Sequence, residues 1–155
     1  MHFIKGEFMK ILFINGSPNK TGNTVSMAQE LLKDKDYQTL HMVDYKVYGY
    51  GQDYQDDQFD EIINEMKKAD MIVLGSPLYW HSMSGMIRNF IDRFYGYVNE
   101  TLLANKDFYF IFQGAAPTKE QLLAGEYTMS RVCHLYHMKY LGMITNHGDA
   151  VKTKI

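Results

Sequence analysis

The segment Met9-Lys-Ile-Leu-Phe-Ile-Asn-Gly-Ser-Pro-Asn-Lys-Thr-Gly-Asn-Thr24 decides how this chain folds. Its apolar run over residues 10–15 predicts a buried strand. From Thr24 on, apolar residues recur at helical spacing, which predicts a helix over 24–33. Asn23, just before it, is a suitable N-cap. The polar turn between the strand and the helix directs backbone N–H groups and hydroxyls to one place beside the positive end of a helix dipole. That arrangement favours an anion such as a phosphate.

The remainder of the chain continues the alternation of strands and helices. We expect strands over 37–43, 71–74, 108–112 and 140–146, and helices over 56–69, 84–95 and 119–137, the last one broken near Gly125. This alternation indicates a parallel sheet covered on both faces. The predicted fold is a single α/β domain over 1–155, with an open, doubly wound sheet of five parallel strands and an N-terminal extension over 1–8.

Composition narrows the class of protein. The chain has 155 residues, of which 46% are apolar, and this is typical of one folded domain. A net charge of -2 without a basic run argues against a nucleic-acid partner. The single cysteine, Cys133, excludes an internal disulfide and a cysteine-ligated cluster. Neither a membrane-spanning run nor a secretory signal is readable, so we expect a cytoplasmic protein.

Three predicted strands end in polar, glycine-bearing loops. The first loop covers residues 15–22, the second 75–82 and the third 113–117, with a turn expected at Gly75-Ser76-Pro77. In an open α/β sheet the ligand lies beyond the carboxyl ends of the strands, so we expect the three loops to converge on one site.

The spacing of the first loop excludes two kinds of nucleotide site. Gly16 and Gly22 are separated by five residues and followed by Asn23, which does not match the P-loop of nucleoside triphosphatases, and the dinucleotide Gly pattern is absent. An ordinary strand–helix turn remains the alternative. Lys20 is interpreted as a solvated side chain.

The second loop carries aromatic side chains. It contains Tyr79 and Trp80, the only tryptophan, between Pro77 and polar residues. Aromatics in such a place suit stacking against a flat heteroaromatic ring, and a core cluster is the alternative interpretation.

The two loops together resemble the flavodoxin-like NAD(P)H-dependent FMN reductase and quinone reductase family. The resemblance spans about 10–117 and rests on the first loop through Thr24 and on Gly75-Ser-Pro-Leu-Tyr-Trp-His-Ser-Met-Ser-Gly-Met-Ile-Arg-Asn-Phe-Ile-Asp-Arg-Phe94. It implies that the FMN phosphate is held by Ser17, Asn19, Thr21, Gly22, Asn23 and Thr24. It implies that the flavin is contacted by Pro77, Leu78, Tyr79, Trp80 and His81, with Gln113, Gly114 and Ala115 as further candidates.

The resemblance also implies an activity. A reduced nicotinamide, NADH or NADPH, passes a hydride to the flavin N5, and a quinone, a flavin or a similar small acceptor then receives it. The flavin carries this chemistry, so no catalytic side chain and no metal are expected. Two alternatives are a flavodoxin-style one-electron carrier, which the modest net charge disfavours, and a flavin-free binding protein of the same fold.

The chain departs from the family in two places. Some relatives bind an iron–sulfur cluster through cysteines where residues 44–57 have none, so we expect no cluster here. The family usually has a helix after the fifth strand, for which this chain leaves little room. We therefore expect a missing C-terminal helix and a homodimer or higher homo-oligomer that covers the exposed sheet face.

Several other residues are candidates for a functional role. His134 and His137 have metal-ligand spacing without a third ligand, and Cys133 has no readable partner, so neither a metal nor a nucleophile is assigned. Asp92-Arg93 is interpreted as a structural helix-end ion pair. His81 is either a proton donor beside the flavin or an exposed loop histidine. Four tyrosines lie close together in one predicted loop, namely Tyr45, Tyr48, Tyr50 and Tyr54. They form either a rim over a partner subunit's flavin or an ordinary solvent-facing loop.

Overall fold

The computed structural model describes residues 8–155, and the predicted extension over 1–8 lies, apart from Phe8, outside them. The elements are β1 Ile11–Asn15, α1 Asn23–Leu31, β2 Gln38–His41, a 3-10 turn Met42–Asp44, α2 Phe59–Lys68, β3 Met71–Tyr79, β4 Ser82–Met83, α3 Gly85–Asp92, β5 Asp107–Gln113, α4 Lys119–Leu135, β6 Lys139–Ile144 and α5 His147–Lys152. Five parallel strands form one sheet in the order β2-β1-β3-β5-β6, and the short β4 pairs antiparallel with the end of β3. The predicted α/β sheet of five parallel strands is therefore confirmed.

Both faces of the sheet are covered by helices. All five residues of β1 are buried, and its side chains alternate between two apolar clusters. Leu12 and Ile14 belong to the cluster that includes residues of α2, α3 and α4, whereas Ile11 and Phe13 belong to the cluster with α1 and α5. Burial on both sides explains why the inner strands read as continuous apolar runs.

The order of the strands places the first two loops side by side. β1 pairs in parallel with β3, and Asn15 at its carboxyl end is opposite Gly75. On the other side of β1, Asn15 is opposite His41 at the end of β2. The chain reverses its direction of winding between β1 and β3, which is where open α/β sheets bind ligands.

Two predicted interruptions are absent from the structure. β3 does not turn at Gly75-Ser76-Pro77 but continues to Tyr79, because its later residues pair with β5 as far as Gln113. α4 is not broken near Gly125, where a Cβ would collide with the ring of Phe112. The glycine therefore lets the helix approach the sheet closely and does not end it.

The prediction of a missing C-terminal helix was wrong. The short α5 follows β6, packs against α1, and buries Ala150 in the cluster on that face. Asn146 caps it by accepting a hydrogen bond from Asp149 N–H at 2.9 Å. On the same sheet face, α1 contacts β1, β3 and β5, so the six residues of α5 complete a cover that α1 begins.

Candidate functional site

The three glycine-bearing loops are joined by hydrogen bonds at the carboxyl edge of the sheet. The N–H of Gly16 donates to the carbonyl oxygen of Gly75 at 2.8 Å. The hydroxyl of Ser84, just after the second loop, donates to the carbonyl of Gly16 at 2.7 Å. From the third loop, Gln113 Nε2 donates to Thr24 Oγ1 at 3.1 Å. The structure thus brings the three predicted loop segments together, although residues 75–79 of the second segment belong to β3.

Two glycines permit the close approach of the first and second loops. A Cβ on Gly16 would overlap the side chain of Ile87 and lie 2.6 Å from the carbonyl oxygen of Gly75. A Cβ on Gly75 would lie 2.5 Å from the methyl group of Thr24. Since the neighbours include backbone and packed core atoms, larger side chains cannot be accommodated without moving the loops.

Side chains within the first loop organise its backbone. Asn15 is fully buried, and its Oδ1 accepts a hydrogen bond from Ser17 N–H at 3.1 Å. The hydroxyl of Ser17 accepts from Asn19 N–H at 3.1 Å. Ser17 is itself buried, whereas Asn19, Thr21 and Asn23 are exposed and Gly22 is half-buried. The loop therefore has a fixed inner edge and a polar outer edge.

The first turn of α1 has no side-chain cap. The N-cap is Gly22, not Asn23 as the sequence predicted, because Asn23 already has a helical position. The extended backbone of Gly22 lets the loop enter the helix without a capping side chain. The first N–H groups of a helix lack intrahelical partners, so this end offers donors and a positive partial charge to an anion.

The side chains of Thr24 and Lys20 contact other protein groups. Thr24 is 1% exposed, and its hydroxyl joins α1 to the third loop through Gln113. Lys20 forms an exposed ion pair of 2.8 Å with Asp44 in the 3-10 turn after β2. Thr24 thus connects two elements, and Lys20 is exposed but paired with Asp44, not only solvated as predicted.

The second loop is a β-hairpin with a two-residue tip. Tyr79 pairs with Ser82, and the tip residues Trp80 and His81 have φ angles of +47° and +67°. Positive φ at both positions is the signature of a type I′ turn, which normally carries Asn-Gly. Trp80 is 94% exposed, so the interpretation of the loop aromatics as a core cluster is wrong for this residue.

A neighbouring helix holds the imidazole of His81. Gln121 Nε2 donates to His81 Nδ1, while Gln121 Oε1 accepts from Thr118 N–H at 3.0 Å. That second bond orients the amide, so Nδ1 of His81 is an acceptor and its proton resides on Nε2. The hairpin tip is thereby attached to the N-terminus of α4.

A cavity of about 290 Å³ lies between the hairpin and the third loop. Larger depressions of about 820 Å³, 420 Å³ and 370 Å³ lie by the ends of α1 and α5, at the amino end of β1 and beside residues 55–58. None of them touches the three loops, so we place the candidate site at the smaller cavity, where the hairpin with Trp80 meets the third loop. Its lining is Leu78, Trp80, His81, Gly114, Ala115, Ala116, Pro117 and Gln121.

Arg93 anchors the tyrosine-rich loop, which covers residues 45–58. The guanidinium pairs with Asp57 and donates to the carbonyl of Tyr48 at 3.1 Å. Burial acts to raise the pKa of Asp57, but hydrogen bonds from Arg93 and from the N–H groups of Phe59 and Tyr48 outweigh it and lower that pKa below its usual value. Arg93 thus has a structural role, but the predicted ion pair within Asp92-Arg93 is wrong, because Arg93 pairs with Asp57 and Asp92 pairs with Arg88 at 3.2 Å.

The candidate metal ligands His134 and His137 and the candidate nucleophile Cys133 lie outside this site. Over residues 8–155, no group of three or more potential metal-ligating His, Cys, Asp or Glu side chains is found. Burial raises the pKa of the Cys133 thiol to about 12, which keeps it protonated and unreactive near neutral pH. Within the same residues no helix has the length and apolarity of a membrane span.

The comparison with protein families covers most of the chain. The family model described as NADPH-dependent FMN reductase matches residues 9–148. The chain belongs to the NADPH-dependent FMN reductase family. Membership confirms the resemblance carried by the first and second loops, together with FMN and a reduced nicotinamide as the family's cofactors.

Individual relatives agree with this family assignment. The chain is 26% identical to YwqN of Bacillus subtilis, whose name describes an NAD(P)H-dependent FMN-containing oxidoreductase, over 91% of this chain and 86% of that protein. It is 32% identical to an iron–sulfur flavoprotein of Archaeoglobus fulgidus over 55% of this chain, and the match spans about half, 48%, of that relative. The solved structure of the Trp repressor binding protein of Bacillus subtilis has a TM-score of 0.72 at 24% identity, covering 87% and 84% of the two chains, and supports the flavodoxin-like fold.

Four residues that organise the loops of this NADPH-dependent FMN reductase family member were not among the residues predicted from the sequence. Ser84 joins the first two loops, and Asn15 and His41 meet behind the first loop. Gln121 holds His81, and it is the only one with a readable signal, the capping pattern Thr118-x-x-Gln121. The others depend on pairing between strands that are distant in sequence.

Proposed function

We propose that this protein is an FMN-dependent NAD(P)H oxidoreductase that reduces a quinone, a flavin or a similar small acceptor. The observation that carries the proposal is the position of the uncapped N-terminus of α1. It begins at the end of the first loop, and Thr24 in its first turn is hydrogen-bonded to Gln113 beside the aromatic hairpin. An anion cradle and a surface for a flat ring therefore lie next to each other.

The first loop fits a phosphate group. Backbone N–H groups at the start of α1 supply donors that no protein side chain occupies. Exposed Thr21, Asn23 and Asn19 add hydroxyl and amide donors at the rim, while Ser17 fixes the inner edge of the loop. These residues would hold the phosphate of FMN by charge-assisted hydrogen bonds.

The hairpin and the third loop fit the ring system. Pro77 and Leu78 lead the strand to the hairpin, where the exposed ring of Trp80 lines the cavity, whereas Tyr79 is exposed but does not line it. Gly114 approaches Leu78 so closely that a Cβ on Gly114 would lie 3.1 Å from Leu78 Cβ. Gly114 and Ala115 therefore line the cavity with little side-chain volume. When bound, FMN supplies the redox chemistry by accepting a hydride at N5 from the nicotinamide and passing it to the acceptor.

The protein's own groups bind and orient in this reaction. His81 holds a proton at Nε2, where the imidazole acts as a donor at the cavity. Backbone N–H groups of the third loop would stabilise negative charge at the pyrimidine edge of the ring. The site needs no nucleophilic side chain, because the reacting atoms belong to the cofactor and the substrates.

Comparison of FMN with riboflavin tests the phosphate assignment. At about 100 times its Kd, FMN should stabilise the fold by about 2.7 kcal/mol, and riboflavin should give a clearly smaller thermal shift. Asn23→Ala and Thr21→Ala should reduce the difference between the ligands, whereas Asn64→Ala, an exposed position on α2, should not. Equal shifts for both ligands in the unaltered protein would refute the assignment.

Stopped-flow mixing with excess NADPH or NADH tests the activity. We expect loss of the flavin absorbance in one two-electron phase with at least one nicotinamide. Absence of bleaching with both would sink the reductase proposal. Stepwise one-electron reduction in a redox titration would favour the electron carrier instead, and a protein that stays colourless after addition of FMN would favour the flavin-free alternative.

We also infer a cytoplasmic homo-oligomer composed of single FMN-binding domains. The one cysteine, Cys133, is a free buried thiol, which suits a reducing compartment. Because α5 covers the sheet face that was expected to be exposed, that face no longer supports association. The support comes from α4, whose outer face exposes the apolar side chains of Leu123, Tyr127 and Leu135. Sedimentation velocity tests this proposal, and a monomer over the whole accessible concentration range would contradict it.

A further inference from the structure

The side chain of Asn15 is the internal frame of the first loop. Asn15 is the last residue of β1 and is 0% exposed. Its Oδ1 accepts from Ser17 N–H at 3.1 Å, and its Nδ2 donates to the carbonyl oxygen of Asn19 at 3.1 Å. One buried amide thus ties both the start and the end of the tight turn 15–19, from which the rest of the loop follows.

A histidine from the neighbouring strand completes the hydrogen bonds of this amide. The second proton of Asn15 Nδ2 is directed at Nδ1 of His41 at 3.0 Å. His41 reaches this point because β1 and β2 are parallel and Asn15 is paired in register with His41. With this third contact every donor and acceptor direction needed inside the turn is used, and no buried donor of Asn15 is left without a partner.

The pattern of donors and acceptors allows one orientation of the amide. A flipped Asn15 would direct its oxygen at the carbonyl of Asn19 and its NH2 group at the N–H of Ser17, so both contacts would become repulsive. Asn15 therefore must present a donor to His41, and Nδ1 of His41 must present its lone pair. The imidazole proton is then carried on Nε2.

We propose that His41 is a positioning residue of the first loop, because its unprotonated Nδ1 accepts the remaining donor of the buried Asn15 amide and so stabilises the orientation that shapes the phosphate cradle. The functional part of this inference rests on the proposed role of the loop in binding FMN. His41 acts through Asn15 and touches no reacting atom. The exposed pair of Lys20 with Asp44 links the same two segments, but both side chains are 51% exposed, so that contact contributes little.

Two substitutions at position 41 separate the acceptor from the bulk of the side chain. His41→Leu keeps a similar volume and removes the acceptor, which leaves a buried donor of Asn15 unpaired. His41→Asn places an amide oxygen where Nδ1 lies and restores the acceptor. Asp44→Asn removes the exposed ion pair and is the matched control.

The first readout is the ratio of the Kd for riboflavin to the Kd for FMN. We expect His41→Leu to lower this ratio about tenfold, equal to about 1.4 kcal/mol, while the riboflavin affinity stays within about twofold. His41→Asn should restore most of the ratio, and Asp44→Asn should not weaken FMN binding. An unchanged ratio in His41→Leu, or an equal loss in His41→Asn, would overturn the proposal.

The second readout needs no ligand. In the free protein, amide hydrogen exchange at Ser17 should be slow, should accelerate at least tenfold in His41→Leu, and should be slow again in His41→Asn. If the unaltered protein shows no preference for FMN but exchange at Ser17 follows this pattern, the proposed function fails and the positioning role stands. Unchanged exchange in His41→Leu would refute the positioning role regardless of flavin binding.

Discussion

The guanidinium of Arg93 and the carboxylate of Asp57 form a two-point ion pair between the end of α3 and the tyrosine-rich loop. Arg93 is 5% exposed, and its guanidinium lies 4.8 Å from the ring centre of Phe59 and 4.5 Å from that of Tyr97. The loop contains neither helix nor strand between residues 45 and 58, so this ion pair fixes its position in place of backbone hydrogen bonds of secondary structure.

Removal of the Asp57 charge should destabilise the protein strongly. Asp57→Asn leaves the buried Arg93 charge without its counterion, and we expect a loss of about 3 kcal/mol in the free energy of unfolding. Asp56→Asn is the matched control, because Asp56 pairs with Lys46 on the exposed surface and its loss should change little. Urea unfolding of both variants measures the difference, and equal midpoints would contradict the assigned role of Asp57.

The same pair should make stability depend on acid. Because the folded pKa of Asp57 is lowered, its contribution is fully present above the unfolded value of about 3.9 and is lost as the pH falls through the folded pKa. The gap in stability between the unaltered protein and Asp57→Asn should thus be constant above about pH 5 and shrink below about pH 4. Unfolding curves from pH 7 to pH 3 test this, and a gap that widens on acidification would show that the sign is wrong.

Gly16 should be intolerant of any side chain. Gly16→Ala places a methyl group against Ile87 and the carbonyl of Gly75, and we expect a loss of about 3 kcal/mol or more together with weaker FMN binding. Gly85→Ala at the start of α3 is the control, since no atom lies within 4 Å of the added Cβ there. It should be neutral or slightly stabilising. Comparable losses in the two variants would argue against close contact between the first two loops.

Two histidines in left-handed backbone conformations should respond differently to glycine. His137→Gly, at φ +57° after α4, should stabilise the fold by roughly 1 kcal/mol and leave flavin reduction unchanged. His81→Gly relieves similar strain at φ +67° but loses the hydrogen bond from Gln121, so the net gain should be smaller. We expect slower flavin reduction by NADPH in His81→Gly alone. Equal rates in both variants would remove His81 from the site.

Secondary structure was predicted correctly where it depends on residues that are neighbours in the sequence, such as a buried apolar run or the residues of a turn. The apolar run of β1 and the glycine-bearing loop before α1 predicted a strand, a turn and a helix correctly, because a parallel strand that is buried on both faces is nearly continuously apolar. Prediction failed where a distant neighbour decides. Gly125 was expected to break α4, yet Phe112 of β5 uses its lack of a side chain for close packing. Gly75-Ser76-Pro77 was expected to be a turn, yet pairing with β5 keeps it extended.

The sequence by itself determined the α/β class, the three polar loops at strand ends and the family to which they belong, since these follow from runs and spacings of neighbouring residues. Only the tertiary structure decided the shape of the candidate site. Asn15 meets His41 across strands, and His81 meets Gln121 from another helix, because strand order and register bring together residues 26 and 40 positions apart. Hydrogen bonds at such separations leave no periodic trace in the sequence, and the packed sheet alone specifies them.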